Sequence, residues 1–319
     1  MSHRIVGAVV ATPSGGPVSL INRIEAALER HFAMTSSVSA PPRLIQAMRH
    51  AVFPGGARIR PQLCLAVAKA CGEDDPELSE AAAAAIELLH CASLVHDDMP
   101  CFDNADTRRG KVTVHKQFGE PLALLTGDAL IVMAYQVLAR SSRQHPMRAV
   151  QLFGLISDGV GAPDGIVAGQ AWECETRVEL GQYQRAKTGA LFVAATCAGA
   201  LAAGVDSQPW HALGDTLGEA YQVADDIRDV MMQADQLGKP AGQDAHHGRP
   251  SAAADLGLVG ALDYFNGLMQ KAADSVPACE SREALRQLVL SESERLVPPA
   301  ACELIARHPS TRISSRVSA

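Results

Sequence analysis

Apolar residues recur at helical spacing along most of the chain. Over 19–35 a stripe of Leu20, Ile24, Ala27, Leu28 and Phe32 repeats every three or four residues and predicts an amphipathic helix. Pro41-Pro42 opens a second helix over 43–52, which Pro54-Gly55-Gly56 breaks. Runs rich in Ala and Leu predict long helices over 60–71 and 77–98, and a polar loop follows over 100–114. Helical periodicity resumes over about 119–140, 147–160, 163–180, 187–204, 208–235, 251–274 and 281–296, with a second polar loop at 236–250. Residues 1–18 read as a loose tail, and 309–319, rich in Ser and Arg, as a disordered one. No strand alternation persists and no repeat of fixed period is present. The pattern predicts an all-α fold, a single domain over 19–308 built as a bundle of antiparallel helices.

Composition sharpens this picture. Hydrophobic residues make up 47% of the chain but aromatics only 4%, so the core must be built from small aliphatic side chains that let helices approach closely. The formal charge is −7, from 28 basic and 35 acidic residues, which argues against a nucleic-acid partner. An anionic substrate is still compatible, because local clusters decide that. None of the eight cysteines forms a CxxC pair and most lie in apolar runs, as expected of reduced core thiols in the cytoplasm. The apolar run from Ile5 to Ala11 is too short for a secretory signal. No stretch approaches about 20 apolar residues free of charge, so no membrane span is expected.

Two acidic clusters carry the chemistry. The first is His96-Asp97-Asp98-Met99-Pro100-Cys101-Phe102-Asp103, followed by Asp106, Arg108 and Arg109. Clustered carboxylates repel one another and are disfavoured at a helix C-terminus, so a hard divalent cation is the natural compensation. On a straight helix Asp97 and Asp103 would lie about 120° apart. Pro100 should break the helix between them and let both face one site. The second cluster puts Gln222, Asp225, Asp226 and Asp229 at i, i+3, i+4 and i+7, one face of a helix, with Arg228 beside them. Magnesium usually takes one or two protein carboxylates plus phosphate oxygens, so metal shared between two such faces points to a diphosphate substrate. Arg108 and Arg109 follow the first cluster, Lys239 follows the second, and Arg58 and Arg60 lie in a Gly-containing turn, where arginine forks suit phosphate.

Over about residues 40 to 300 these motifs resemble the trans-isoprenyl diphosphate synthases, the family of farnesyl and geranylgeranyl diphosphate synthases. His96-Asp97-Asp98 through Arg108-Arg109-Gly110-Lys111 is similar to that family's first Asp-rich motif in its longer form. Asp225-Asp226-Ile227-Arg228-Asp229 is similar to the second. Gly169-Gln170, Lys187-Thr188-Gly189 and Gly238-Lys239-Pro240 match in order and spacing. The resemblance implies the isoprenoid synthase fold around a deep central cavity, usually as a homodimer. It implies three Mg²⁺ ions bridged by substrate diphosphate: Asp97, Asp98 and Asp103 would hold two, and Asp225 a third, with Asp226 and Asp229 in support. Arg108, Lys187 and Lys239 would grip an allylic diphosphate; Arg60, His90 and Arg109 would hold isopentenyl diphosphate, with Arg58 and Gln170 also at the substrates. The Thr188 hydroxyl, the Lys187 carbonyl and the Gln222 amide oxygen would face the allylic carbocation in a site that excludes water. Ala57 stands where the family usually has a lysine that binds isopentenyl diphosphate, so weaker affinity for that substrate is expected. Glu173 stands where Asp is common.

Small residues at Ala92 and Ser93, beside the first cluster, imply a pocket for a long prenyl tail. Leu88 through Asp98 and Gly248-Arg249-Pro250-Ser251 look most like bacterial geranylgeranyl diphosphate synthases of carotenoid and bacteriochlorophyll pathways. The expected activity is head-to-tail prenyl transfer giving a C20 product; a C15 or longer product, or a non-catalytic subunit of a heteromeric synthase, are the alternatives. A bulky Ala92→Phe change is expected to shorten the product. Asp225-Asp226-Ile227-Arg228-Asp229 disfavours a terpene cyclase, the single Glu87-x-x-His90 falls short of a di-iron bundle, and Val114 rather than Glu at position twelve excludes a calcium loop from Asp103.

Overall fold

The computed structural model describes residues 19–35, 40–53, 55–177, 179–231 and 252–297. The first helices are α1 (Leu20–Thr35), α2 (Pro42–Val52), α3 (Ile59–Ala70) and α4 (Pro76–Asp97). Next come two-residue strands β1 (Thr107–Arg108) and β2 (Lys111–Val112), then α5 (Val114–Phe118), α6 (Glu120–Arg140) and α7 (Pro146–Val160). The short α8 (Ile166–Ala171) and α9 (Leu180–Gln184) lead through a π-helical turn, Arg185–Gly189, into α10 (Ala190–Ala202). The chain closes with α11 (His211–Met231), α12 (Ala252–Asp274) and α13 (Arg282–Leu296). The all-α expectation holds; the only strands among the described residues form one antiparallel pair.

Helix α4 organises the bundle. Pro76 fits its first turn, and Asp75 caps it by accepting from the Leu78 amide at 3.1 Å. Ala81 to Ala85 are fully buried, and the small side chains let α3, α6 and α10 pack close around α4. Helix α10, nearly all Ala, Gly and small apolar residues, is buried on almost every side between α3, α7 and α11. By length and composition alone α4 and α6 would each suffice to cross a membrane, a test that a buried core helix passes as well. Helix α4 is core, while α6 keeps an outer face on which Leu124, Leu125 and Val132 are exposed.

Two stretches differ from the periodicity. The helix expected over 163–180 is only α8 and one 3₁₀ turn, Trp172–Cys174. From Ala171 to Arg177 no side chain is buried, so a continued helix would have no apolar face to pack. The polar loop after α4 contains the β1–β2 hairpin, with Arg109 (φ 53°) and Gly110 (φ 73°) as its two turn residues. Such short strands leave no alternation to read. Among the described residues all cysteines are free; burial pushes the Cys91 thiol up to about 12, so it stays protonated and inert. The expected tails, the loop at 236–250, Lys239 and the Gly248–Ser251 stretch lie outside the described residues.

Candidate active site

The C-terminus of α4 folds back on itself. After Asp98 the chain breaks at Pro100; the Asp103 amide then donates to the Asp97 carbonyl at 3.0 Å and the Ala105 amide to the Asp98 carbonyl at 3.1 Å. This returns Asp103 to the end of the helix that carries Asp97, as the spacing required. Asp97 and Asp98 are both buried. Burial pushes the Asp98 carboxyl up to about 6, although Arg108 donates to it from Nε at 2.9 Å and Nη2 at 2.5 Å and pulls it back down. The β1–β2 turn is what brings Arg108 there.

The π-helical turn joins this cluster to the second one. Lys187 Nζ lies 3.4 Å from Asp97 Oδ1 and donates to Glu173 Oε1 at 2.6 Å, and the Tyr183 hydroxyl donates to the same Glu173 oxygen at 2.6 Å. Burial alone would lower the Lys187 ammonium, but Asp97, Tyr183 and Glu173 outweigh it and hold it well above its ordinary value. The next residue, Thr188, donates from its hydroxyl to Gln222 Oε1 at 3.2 Å, and Gln222 Nε2 donates to Asp226 Oδ1 at 3.1 Å. Adjacent residues therefore touch both acidic clusters. The close fit depends on Gly169: a Cβ there would sit 2.4 Å from the Lys187 backbone nitrogen. Its neighbour Gln170 donates to the Ser93 carbonyl at 3.0 Å and to Asp97 Oδ1 at 3.3 Å. On α11, Asp225 pairs with Arg228 at 2.6 Å, and Asp226 Oδ2 accepts the Ala252 amide at 2.8 Å, anchoring the start of α12.

Beside the clusters lies a group of cations. Arg60 is buried, with its guanidinium 4.5 Å from the Phe192 ring centroid and 5.3 Å from that of Tyr221. Its Nε has no hydrogen-bond partner. Arg60 Nη1 and Arg109 Nη2 approach His90 Nε2 at 3.5 and 3.3 Å. Burial and these two arginines hold the His90 imidazole well below its usual pKa, so it is neutral and acts as an acceptor between two cations. Arg109 lies directly over Gly56, where a Cβ would come 2.7 Å from its Nε. Two guanidinium groups on either side of a neutral imidazole make this a place where an anion would be stabilised.

Residues 41–262 match the polyprenyl synthetase family. The chain belongs to it. A geranylgeranyl diphosphate synthase of Cereibacter sphaeroides is 53% identical over 276 residues, covering 86% of this chain and 96% of that one. One from Rhodobacter capsulatus is 47% identical, covering 90% and 99%. Among solved structures, a Helicobacter pylori geranyltransferase complexed with magnesium and isoprenyl diphosphate superposes with a TM-score of 0.73 at 28% identity, covering 90% of this chain and all of that one.

For a polyprenyl synthetase the donor set fits magnesium. It is all carboxylate, hard oxygen for a hard cation, and among the described residues no three His, Cys, Asp or Glu side chains form a ready-made cage. Magnesium typically takes one or two protein carboxylates and fills its remaining positions with phosphate oxygens and water. Two sequence expectations change. Arg58 does not join the diphosphate cations: with a left-handed backbone (φ 52°) it turns into the bundle and donates to Glu87 at 2.5 Å, Glu25 at 2.8 Å and the Val52 carbonyl at 2.8 Å. Ala92 is buried in the main core, whereas Ser93 is only half-buried and its carbonyl accepts from Gln170 at 3.0 Å, so of the two it is Ser93 that keeps an accessible face beside the first acidic cluster. Ala57 is exposed, with its carbonyl held by Gln62 at 2.7 Å. The sequence reading passed over Phe192, Tyr183 and Tyr221; for Tyr221 a signal existed, since Tyr221, Asp225 and Arg228 fall at i, i+4 and i+7.

Proposed function

We propose that the chain is a cytoplasmic, Mg²⁺-dependent prenyltransferase that condenses isopentenyl diphosphate head to tail with allylic diphosphates, with geranylgeranyl diphosphate as its main product. The observation that carries this reading is the pairing of two anion sites: acidic clusters joined through Lys187-Thr188, and the Arg60, His90 and Arg109 pocket next to them. Asp97, Asp98, Asp103 and Asp225 would hold three Mg²⁺ ions, with Asp226 and Asp229 in support. Bound there, Mg²⁺ supplies Lewis-acid neutralisation of the departing diphosphate.

The side chains do the rest. Lys187 and Arg108 already stand against Asp97 and Asp98 and are within reach of an anion that arrives there; Lys239 joins them in this proposal. Arg60, Arg109 and neutral His90 hold the isopentenyl diphosphate, without the lysine that Ala57 replaces. When the allylic C–O bond breaks, the carbonyl of Lys187, the Thr188 oxygen and the Gln222 amide oxygen present partial negative charge to the cation. The isopentenyl double bond attacks, and the proton then lost passes to an oxygen of the released diphosphate. Ser93 borders the tail. The exposed Leu124, Leu125 and Val132 of α6 form the face on which a second copy of the chain docks as a homodimer.

The test is product chromatography after incubation of the purified chain with labelled isopentenyl diphosphate and each allylic primer, with and without Mg²⁺. A Mg²⁺-dependent C20 product is expected. A C15 main product, or one of C30 and longer, overturns the product assignment, and no product from any primer overturns the reaction.

A further inference from the structure

Arg228 interrupts the second acidic cluster with a cation, and the reaction above gives it no role. On an exposed helix an Arg–Asp pair three residues apart is an ordinary, weak contact. This one is different. The Arg228 side chain is only 20% exposed. Its Nη2 donates to Asp225 Oδ1 at 2.6 Å while Nη1 donates to the Leu296 carbonyl, 68 residues away, at 2.7 Å. Leu296 is the last residue of α13 and is itself buried, so that carbonyl is a rigid acceptor at the negative end of a helix dipole. The guanidinium also lies 5.5 Å from the Tyr221 ring centroid. Three contacts, two from its own helix and one from the end of α13, hold the fork in one place, and the fork in turn holds the carboxylate.

We propose that Arg228 is a positioning residue for metal loading: it fixes the Asp225 carboxylate by tying it to the C-terminal end of α13. The inference rests on Asp225 being a metal ligand, as the proposed function has it. A planar fork is required, because one group must reach a carboxylate and a main-chain oxygen together. A lysine ammonium keeps the charge but not that geometry. The Tyr221 ring that carries Arg228 also carries Arg60 at 5.3 Å, so the same side chain lies one aromatic ring from the neighbouring anion pocket.

The experiment is calorimetric titration of MgCl₂ with inorganic diphosphate into the full chain, Arg228→Met and Arg228→Lys, with the Mg²⁺ dependence of turnover measured alongside. Arg228→Met is expected to weaken the Mg²⁺–diphosphate complex at least fivefold and raise half-saturating Mg²⁺ by the same factor, with kcat at saturating Mg²⁺ within threefold of the parent. Arg228→Lys should recover part of the loss. If Arg228→Met does not fold, Arg228→Lys alone decides, with at least a twofold weakening expected. Unchanged binding, or tighter binding because Arg228 competes with the metal, overturns the proposal. If the parent binds Mg²⁺–diphosphate but transfers no prenyl group, the reaction is wrong while the binding series still judges Arg228.

Discussion

Replacing Gly169 by alanine tests whether the side chains of the candidate site depend on the close approach of α8 to the π-helical turn. The added Cβ would lie 2.4 Å from the Lys187 nitrogen and 2.5 Å from its Cα. Both neighbours are backbone, so neither can swing aside, and the contact is about 1 Å inside ordinary van der Waals separation. Either α8 or the turn must retreat by that distance. Gln170 and Lys187, which meet Asp97 from the two sides of this contact, would then be misplaced relative to each other. A misplacement of about 1 Å costs on the order of 100-fold in rate, and overpacking of this kind about 1–3 kcal/mol in stability. At about 2–4 °C per kcal/mol the melting temperature should fall by about 2–12 °C. The assay is kcat at saturating substrates and Mg²⁺ beside a thermal melt of the same preparation. A variant that keeps kcat within threefold of the parent would refute the claim that this contact sets the geometry.

Three further outcomes are expected. Glu87→Gln keeps an acceptor for the buried Arg58 guanidinium but leaves the part-exposed Glu25 as its only carboxylate, and should lower unfolding free energy by about 3 kcal/mol in urea titrations; a loss under about 1 kcal/mol contradicts the buried-pair account. His90 has a folded-state pKa below its unfolded value, so its contribution to stability is full above about pH 6.5 and is lost as pH falls from there. His90→Gln should therefore lose less stability than the parent between pH 7.5 and 5.5, and an equal or larger loss counts against the neutral imidazole. Ser93→Phe should move the main product from C20 to C15 on chromatography, whereas Ala92→Phe should chiefly overpack the core at about 1–3 kcal/mol; an unchanged C20 product from Ser93→Phe removes Ser93 from the tail pocket.

Much of the fold was legible because burial and helical period coincide. Helix α4 reads as an apolar run ending in acid, and the structure bounds it within a residue of that reading. The helix expected over 163–180 failed because its second half has no face to bury. In the candidate site, residue types and spacing identified side chains that the structure brings together around Lys187 and Thr188. They could not reveal the π-helical turn, whose i+5 bonding leaves no pattern in the sequence. Nor could they place Arg58, since a single left-handed residue reverses where the side chain goes. Ala92 and Ser93 were equivalent as neighbours in sequence; only packing separates core from cleft.

Helix α4 also carries His90, Ser93 and Asp97 at intervals of three and four residues, along one edge of a rod whose other faces are locked into the bundle. In the proposed reaction these are a contact for the incoming unit, a gauge for the growing tail and a ligand for metal. One residue inserted between Glu87 and His90 would rotate all three by about 100° at once and disable every task together. Point changes such as a larger side chain at 93 alter one task and spare the others. Product size in a protein built this way can drift by substitution along α4, while gains or losses of length there are closed to it.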